Sequence, residues 1–282
     1  MHVLLVPNLR NPRSLEATRM VAGYLTANGY APLLAEDDAR EAGLSEFGVA
    51  RSDIGSPELA VALGGDGTIL KAVHLLGVSE VPVLGINLGR LGFLSGAGGE
   101  ALQDAVTTAL AGEARVERRQ TIEVSVRAGG RQAGTYRALN EVFVGRGGGA
   151  RGVEVEIAVN ERVIGRHLCD GFIVATPTGS TAYALSAGGP LVAPDVRGLV
   201  LVSVAPHTLA TRPMVLGPAE RVRISCPNPA RADACVAIDG DTVPCRTSLD
   251  SVDVWMSDHD VRLLRLDGRD FYGVVAQTFF GA

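Results

Sequence analysis

The residues best placed to do chemistry are Gly64-Gly65-Asp66-Gly67-Thr68, a carboxylate set among three glycines. The run follows an apolar strand-like stretch, Leu59 to Leu63, and precedes a helical one, Ile69 to about Leu76. Glycines there allow positive φ and let the backbone approach a ligand closely. The N–H groups at the start of the helix favour an anionic phosphate. An acid in such a loop repels phosphate unless it works on it: Asp66 can hold a divalent metal between phosphates or accept a proton from an attacking hydroxyl. Gly64, Gly65, Gly67 and Thr68 would then form the loop that meets the phosphoryl donor. The dinucleotide fingerprint fails, because the third glycine position of G-x-G-x-x-G falls on Leu70, and no Gly-Lys pair exists for a P-loop.

Further candidates lie along the chain. Of the 26 Lys and Arg residues only Lys71 is Lys. It stands five residues after Asp66 and can offer a point charge to phosphate. A second glycine-rich stretch, Gly85 to Leu94, ends another strand, where ligands of open α/β sheets collect. Asn140-Glu141 opens a later strand. Asn can donate to and accept from an adenine edge, and Glu suits ribose hydroxyls. The Asp170 to Pro190 stretch reads as a strand, a hydroxyl-rich turn and a short helix. Capping accounts for one of Thr178, Ser180 and Thr181, not three. Gly179-Ser180-Thr181 is not a G-x-S-x-G elbow, so a serine hydrolase is disfavoured.

Two kinds of element must position these residues. Val3 to Val6, Ala31 to Ala35, Leu59 to Leu63 and Val83 to Ile86 alternate with helical stripes, the first of them after Ser14 as N-cap and another from Leu102 to Leu110. That alternation predicts a Rossmann-like parallel sheet covered by helices over residues 1–114. From Arg115 the chain becomes short β-branched runs: Ile122 to Val126, Glu141 to Val144, Val153 to Val159, Phe172 to Ala175, Leu199 to Val204, Val222 to Ser225, Val236 to Ile238, Val252 to Met256 and Val261 to Leu266. They predict an all-β, sandwich-like domain over 115–266, interrupted by a short helix at 179–187, with a tail at 267–282.

Composition narrows the partners. The 282 residues carry a net charge of -5 and no basic stripe, which disfavours nucleic acid. No stretch approaches the ~18 apolar residues of a membrane span. Val3 to Val6 is too short for a signal h-region, so a cytoplasmic protein is expected. Cys169, Cys226, Cys235 and Cys245 form no Cys-x-x-Cys pair, and with His259 they match no common zinc spacing.

Taken together, Gly64-Gly65-Asp66-Gly67-Thr68, Asn87 to Leu94, Asn140-Glu141 and Asp170 to Pro190 resemble the NAD kinase family, in order and over nearly the whole chain. The resemblance implies an α/β domain joined to a β domain, with the chain's end returning to the first, in homodimers or homotetramers. It implies transfer of the terminal phosphate of ATP, or of polyphosphate, to the 2′-hydroxyl of the adenosine ribose of NAD; phosphoryl transfer itself calls for Mg²⁺ or another divalent metal. Asp66 matches the proton acceptor and the one side chain able to touch that metal. Asn140 and Thr181 match positions near the adenine and Glu141 one near the ribose. Gly67, Asp170, Thr178, Ala182, Tyr183 and Ser186 complete the NAD-binding set, with Arg151, Asp241 and Lys71 as weaker matches. Family members often carry Arg where Leu168 stands, which leaves NAD against NADH open. Two other readings share the first motif. A lipid kinase of the diacylglycerol type would need bilayer access, and no basic amphipathic helix is evident. A non-catalytic NAD-binding regulator would be expected to have lost Asp66.

Overall fold

The computed structural model describes the whole chain except residues 90–91, 100–101, 149–150, 209–210, 230–232, 246, 267–269 and 282. Arg90 and Leu91 of the second glycine-rich stretch, and the first three residues of the predicted tail, therefore lie outside the described residues. The chain forms two compact units, Met1–Arg118 with Val261–Ala282, and Arg119–Asp260.

The first unit is built on a sheet in the order Gly48–Val49, Ala31–Ala35, His2–Pro7, Leu59–Leu63, Val83–Asn87, Val261–Arg265, Arg115–Arg119, with Ala97–Gly98 paired to Val83–Asn87. The pairs among its first six strands are parallel. Val3 to Val6 and Leu59 to Leu63 are buried throughout, as expected where helices cover both faces of a parallel sheet. The sequence pattern placed Val261 to Leu266 with the β domain; Val261–Arg265 instead joins the parallel sheet beside Val83–Asn87. A short β-branched run carries no mark of which sheet it will enter. The first helix also differs at its start. It runs Pro12–Ala27 with Asn11 as N-cap, Asn11 Oδ1 accepting from Arg13 N. Ser14 is buried one turn in and donates its hydroxyl to Leu63 O, which ties the helix to the strand that leads into Asp66.

The second unit is a sandwich of two six-stranded antiparallel sheets. One has the order Met214–Leu216, Leu199–Val204, Gly171–Ala175, Glu141–Arg146, Ala234–Ile238, Asp241–Val243. The other has Arg162–Cys169, Val153–Val159, Val222–Ser225, Leu249–Met256, Ile122–Ala128, Arg131–Ala138. Alternate residues such as Val142, Val144 and Val174 meet Ile122, Val124 and Val126 in the core between them. The opposite face of the first sheet is apolar too. Ile173, Ala175, Val200 and Val202 pack against Ala184 and Val192, so residues 177–192 lie as a lid over that face. The predicted helix there is a 3₁₀ turn, Gly179–Thr181, followed by one α turn, Tyr183–Ser186.

Candidate active site

In the α/β unit the two glycine-rich stretches converge on Asp66. Leu59–Leu63 ends at Gly64, whose N–H donates to Ile86 O at 2.9 Å on the neighbouring strand. The next helix starts earlier than its apolar pattern suggests, at Asp66 rather than Ile69, with Gly65 as N-cap. A carboxylate in the first turn suits the positive end of the helix. Asp66 Oδ2 accepts from Phe93 N at 2.8 Å and Oδ1 from Leu94 N at 3.1 Å. Gly92 makes this approach feasible: a Cβ there would stand 2.2 Å from Asp66 Oδ1. A carboxylate has about four lone-pair sites, so two N–H donors orient it and leave room for a proton or a ligand.

The glycines serve a different purpose from the one the sequence suggests. None of Gly64, Gly65 and Gly67 has positive φ. Gly64 is required by packing, since a Cβ would meet Thr68 Oγ1 at 2.3 Å. Thr68 is accordingly buried against Gly64. At Gly65 and Gly67 a Cβ would meet nothing within 4 Å, so both leave open space beside the acid. Lys71 is engaged elsewhere: its Nζ pairs with the buried Asp38 carboxylate, away from the role of free phosphate cation.

A second cluster forms in the β unit around Asn140-Glu141. Both residues are buried. Thr176 N donates to Asn140 O at 2.8 Å and Thr176 Oγ1 to Leu139 O at 2.6 Å. Gly179 N donates to Thr176 Oγ1, and a Cβ at Gly179 would lie 2.1 Å from Asn140 O. The Thr176–Thr181 turn is thus locked onto the start of the Asn140-Glu141 strand. None of its hydroxyls caps a helix. Ser180 Oγ donates to Pro177 O at 2.6 Å and accepts from Val192 N, Thr181 Oγ1 donates to Thr178 O at 3.1 Å, and Thr178 Oγ1 accepts from Arg119 Nη1 at 3.3 Å. Tyr183 is 41% exposed, and its ring lies 5.4 Å from Phe143. Ala182 and the exposed Ser186 flank it.

A further acid in this cluster, Asp239, is one the sequence reading missed. Its carboxylate accepts from Leu139 N at 2.8 Å, Asn140 N at 2.8 Å and Glu141 N at 3.0 Å. The signal was an Asp-Gly pair between two β runs. Asp239 and Gly240, at φ 48 and 89, form the two-residue loop between Ile238 and its partner Asp241. Asp241 therefore stands beside the cluster. Burial first, and then the nearby Asp239 charge, push the Glu141 carboxyl up to about 7, against one backbone N–H from Tyr183 that favours ionisation. Glu141 Oε2 is buried and has no partner among the described residues.

Two candidates do not join either cluster. Asp170 precedes Gly171–Ala175, whose far end pairs with Glu141, and it forms an ion pair with Arg146 at 3.2 Å. Five strand residues separate it from Thr176, so the two lie six rises apart, about 20 Å along the strand. Arg151 is exposed and lies two residues before Val153, which pairs with Cys169 at the Asp170 end. Among the described residues no three His, Cys, Asp or Glu side chains gather to hold a metal, and no helix is long and apolar enough to cross a membrane.

Comparison with known proteins covers both units. The family model for the ATP-NAD kinase N-terminal domain matches residues 3–114, and that for the C-terminal domain matches 139–266. The NAD kinase of Polaromonas naphthalenivorans is 38% identical over 273 residues, covering 96% of this chain and 93% of that protein. The NAD kinase of Symbiobacterium thermophilum is 37% identical over 282 residues, covering 98% of each. Among solved structures, yeast NADH kinase complexed with NADH superposes with a TM-score of 0.89 at 25% identity, over 100% of this chain and 87% of that one. An NAD kinase from Archaeoglobus fulgidus in complex with ATP gives 0.73 at 25% identity, over 100% and 98%.

Proposed function

Because the chain belongs to the ATP-NAD kinase family, we propose that Asp66 is the base of its reaction and that the Asn140-Glu141 cluster holds the acceptor's adenosine. The enzyme phosphorylates NAD with ATP, giving NADP. The lipid kinase and regulator readings find no support in the comparisons.

Phosphoryl transfer asks the protein mainly for positioning and charge neutralisation. Asp66 takes the proton of the ribose 2′-hydroxyl as that oxygen bonds to the γ-phosphorus. The bond to the bridging oxygen breaks and ADP leaves. The single observation behind this reading is the Asp66 carboxylate itself, aimed by the N–H groups of Phe93 and Leu94 and bordered by open space at Gly65 and Gly67. That space, at a helix N-terminus, suits the donor's phosphates. In the β unit, Asn140 with Thr178, Thr181 and Ala182 suits the adenine, Glu141 the ribose, and the exposed Tyr183 ring an apolar face of the ligand. Asp241 and Ser186 stand at the margin of that cluster. Asp170 and Arg151 have no part in it within one chain.

Magnesium is the ion this chemistry calls for, since it neutralises phosphate oxygens when bound. The residues fit an ion carried chiefly by the nucleotide: one loop carboxylate, Asp66, and no cluster of three side-chain ligands among the described residues. Our reading also includes a cytoplasmic homodimer or homotetramer, checked by light scattering on the purified protein.

The test is a matrix of ATP and polyphosphate against NAD and NADH, read as NADP(H), with wild type and Asp66→Asn. Product is expected with ATP and NAD. Loss of the base should cost at least ~100-fold in turnover while NAD still binds by calorimetry. Near-normal kinetics in Asp66→Asn would remove that side chain from the mechanism.

A further inference from the structure

Asp66 is aimed by backbone, and that backbone is itself held from behind. Arg265, the last residue of the strand Val261–Arg265, is only 6% exposed. Its Nη2 donates to Phe93 O at 2.8 Å and its Nη1 to Ser95 O. Its Nε donates to Glu117 Oε2 at 2.7 Å, which fixes the plane of the guanidinium. The same peptide segment presents the N–H groups of Phe93 and Leu94 to Asp66. One planar cation therefore grips the carbonyls of a short turn whose N–H groups grip the acid. Gly96 stitches the turn further, donating to Gly85 O at 2.8 Å and accepting from Leu266 N at 2.9 Å.

From this chain of contacts we infer that Arg265, braced by Glu117, is a positioning residue for the reaction, setting the direction of the Asp66 carboxylate through residues 92–95. The inference rests on Asp66 being the base. A guanidinium suits the task because its donors lie in one rigid fork. A lysine offers a compact charge without that fork and cannot reproduce three directed bonds. A base displaced by about 1 Å loses on the order of 10²-fold in rate.

The experiment measures kcat, KM and ligand Kd for full-length Arg265→Lys, Gly92→Ala and Asp66→Asn, and for each of the first two combined with the third. Arg265→Lys should lower kcat about 100-fold, with calorimetric Kd for NAD and ATP within about threefold of wild type. Gly92→Ala reaches the same point with the clamp intact, because its Cβ would stand 2.2 Å from Asp66 Oδ1. It should give a similar kcat loss, and Glu117→Gln, which loosens the brace on Arg265 Nε and should lower kcat without moving Kd, keeps the test decisive if Arg265→Lys fails to fold. In both backgrounds Asp66→Asn should cost little more, since the base is already out of place. A merely structural Arg265 would lower thermal stability but leave kcat per folded molecule intact, with Asp66→Asn acting at full size; that overturns the inference. If Asp66→Asn alone left kcat normal, the failure would lie with the base assignment instead.

Discussion

Glu141 makes the stability of the protein depend on pH in a direction that can be worked out in advance. The carboxyl is buried beside Asp239, and the two effects raise it from the ordinary 4.5 to about 7. The folded protein therefore keeps a proton that the unfolded chain loses near pH 4.5. Below about pH 4.5 both states are protonated and Glu141 contributes its full share. As pH rises through 7 that share is lost, and above about 8 nothing more changes. The gap between 4.5 and 7 corresponds to about 3 kcal/mol, an upper figure because neighbouring groups relax. Glu141→Gln keeps the shape and removes the proton. Urea unfolding followed by the fluorescence of Trp255, the one tryptophan and a residue of the β unit, reports the relevant unit. Wild type should lose about 3 kcal/mol relative to Glu141→Gln between pH 4.5 and 8. On a melting curve that is roughly 6–12 °C. Parallel pH profiles for the two proteins, or a wild type that gains relative to the variant as pH rises, would refute the argument.

Other expectations follow from the same contacts. Asp239→Asn keeps a side chain that tolerates positive φ but removes the charge facing Glu141, so the pH window of Glu141 should move lower in the same urea titration. Lys71→Met strands the buried Asp38 carboxylate; it should cost roughly 3 kcal/mol, the low end for a broken buried pair because Lys71 is part-exposed, with KM for ATP unchanged in steady-state assays. Gly64→Ala forces a Cβ against Thr68 Oγ1 and should lose about 1–3 kcal/mol. Gly65→Ala meets no atom within 4 Å, so it should melt at or above the wild-type temperature and yet raise KM for ATP, since the methyl fills space assigned to phosphate.

The legible parts of the molecule were those that local pattern dictates. Strand-like runs such as Leu59 to Leu63 alternating with helical stripes announced a parallel sheet, and a succession of short β-branched runs such as Ile122 to Val126 a sandwich. Asp66 stood out because an acid in a glycine-rich loop at a strand end repels the phosphate such a loop favours, unless it works on it. Less legible was anything set by distant pairing. The entry of Val261–Arg265 into the first sheet, the Arg265 grip on residues 93 and 95, and the pairing of Lys71 with Asp38 each join residues 33 or more positions apart. Asp170 illustrates the reverse separation. It stands within 13 residues of Tyr183 in sequence, yet a buried strand carries it to the opposite end of the sheet.

The same fold supplies backbone N–H groups to its two central carboxylates differently. Asp66 receives one on each oxygen from a turn clamped for the purpose. Near Glu141 the N–H groups of three successive residues are all taken by Asp239, and among the described residues Glu141 has the N–H of Tyr183 and one oxygen without a partner. A carboxylate supplied with fixed donors is oriented before any ligand arrives, which is what a base needs. A carboxyl buried beside a fixed negative charge keeps its proton until a ligand offers a hydroxyl in exchange. Binding of NAD at pH 6.5, where a carboxyl titrating at about 7 is about three-quarters protonated, should therefore release about three-quarters of a proton from wild type and none from Glu141→Gln, measured by calorimetry in buffers of different ionisation enthalpy. Equal proton release from both proteins would mean that the ribose does not meet Glu141, and the division of labour between the two acids would fall with it.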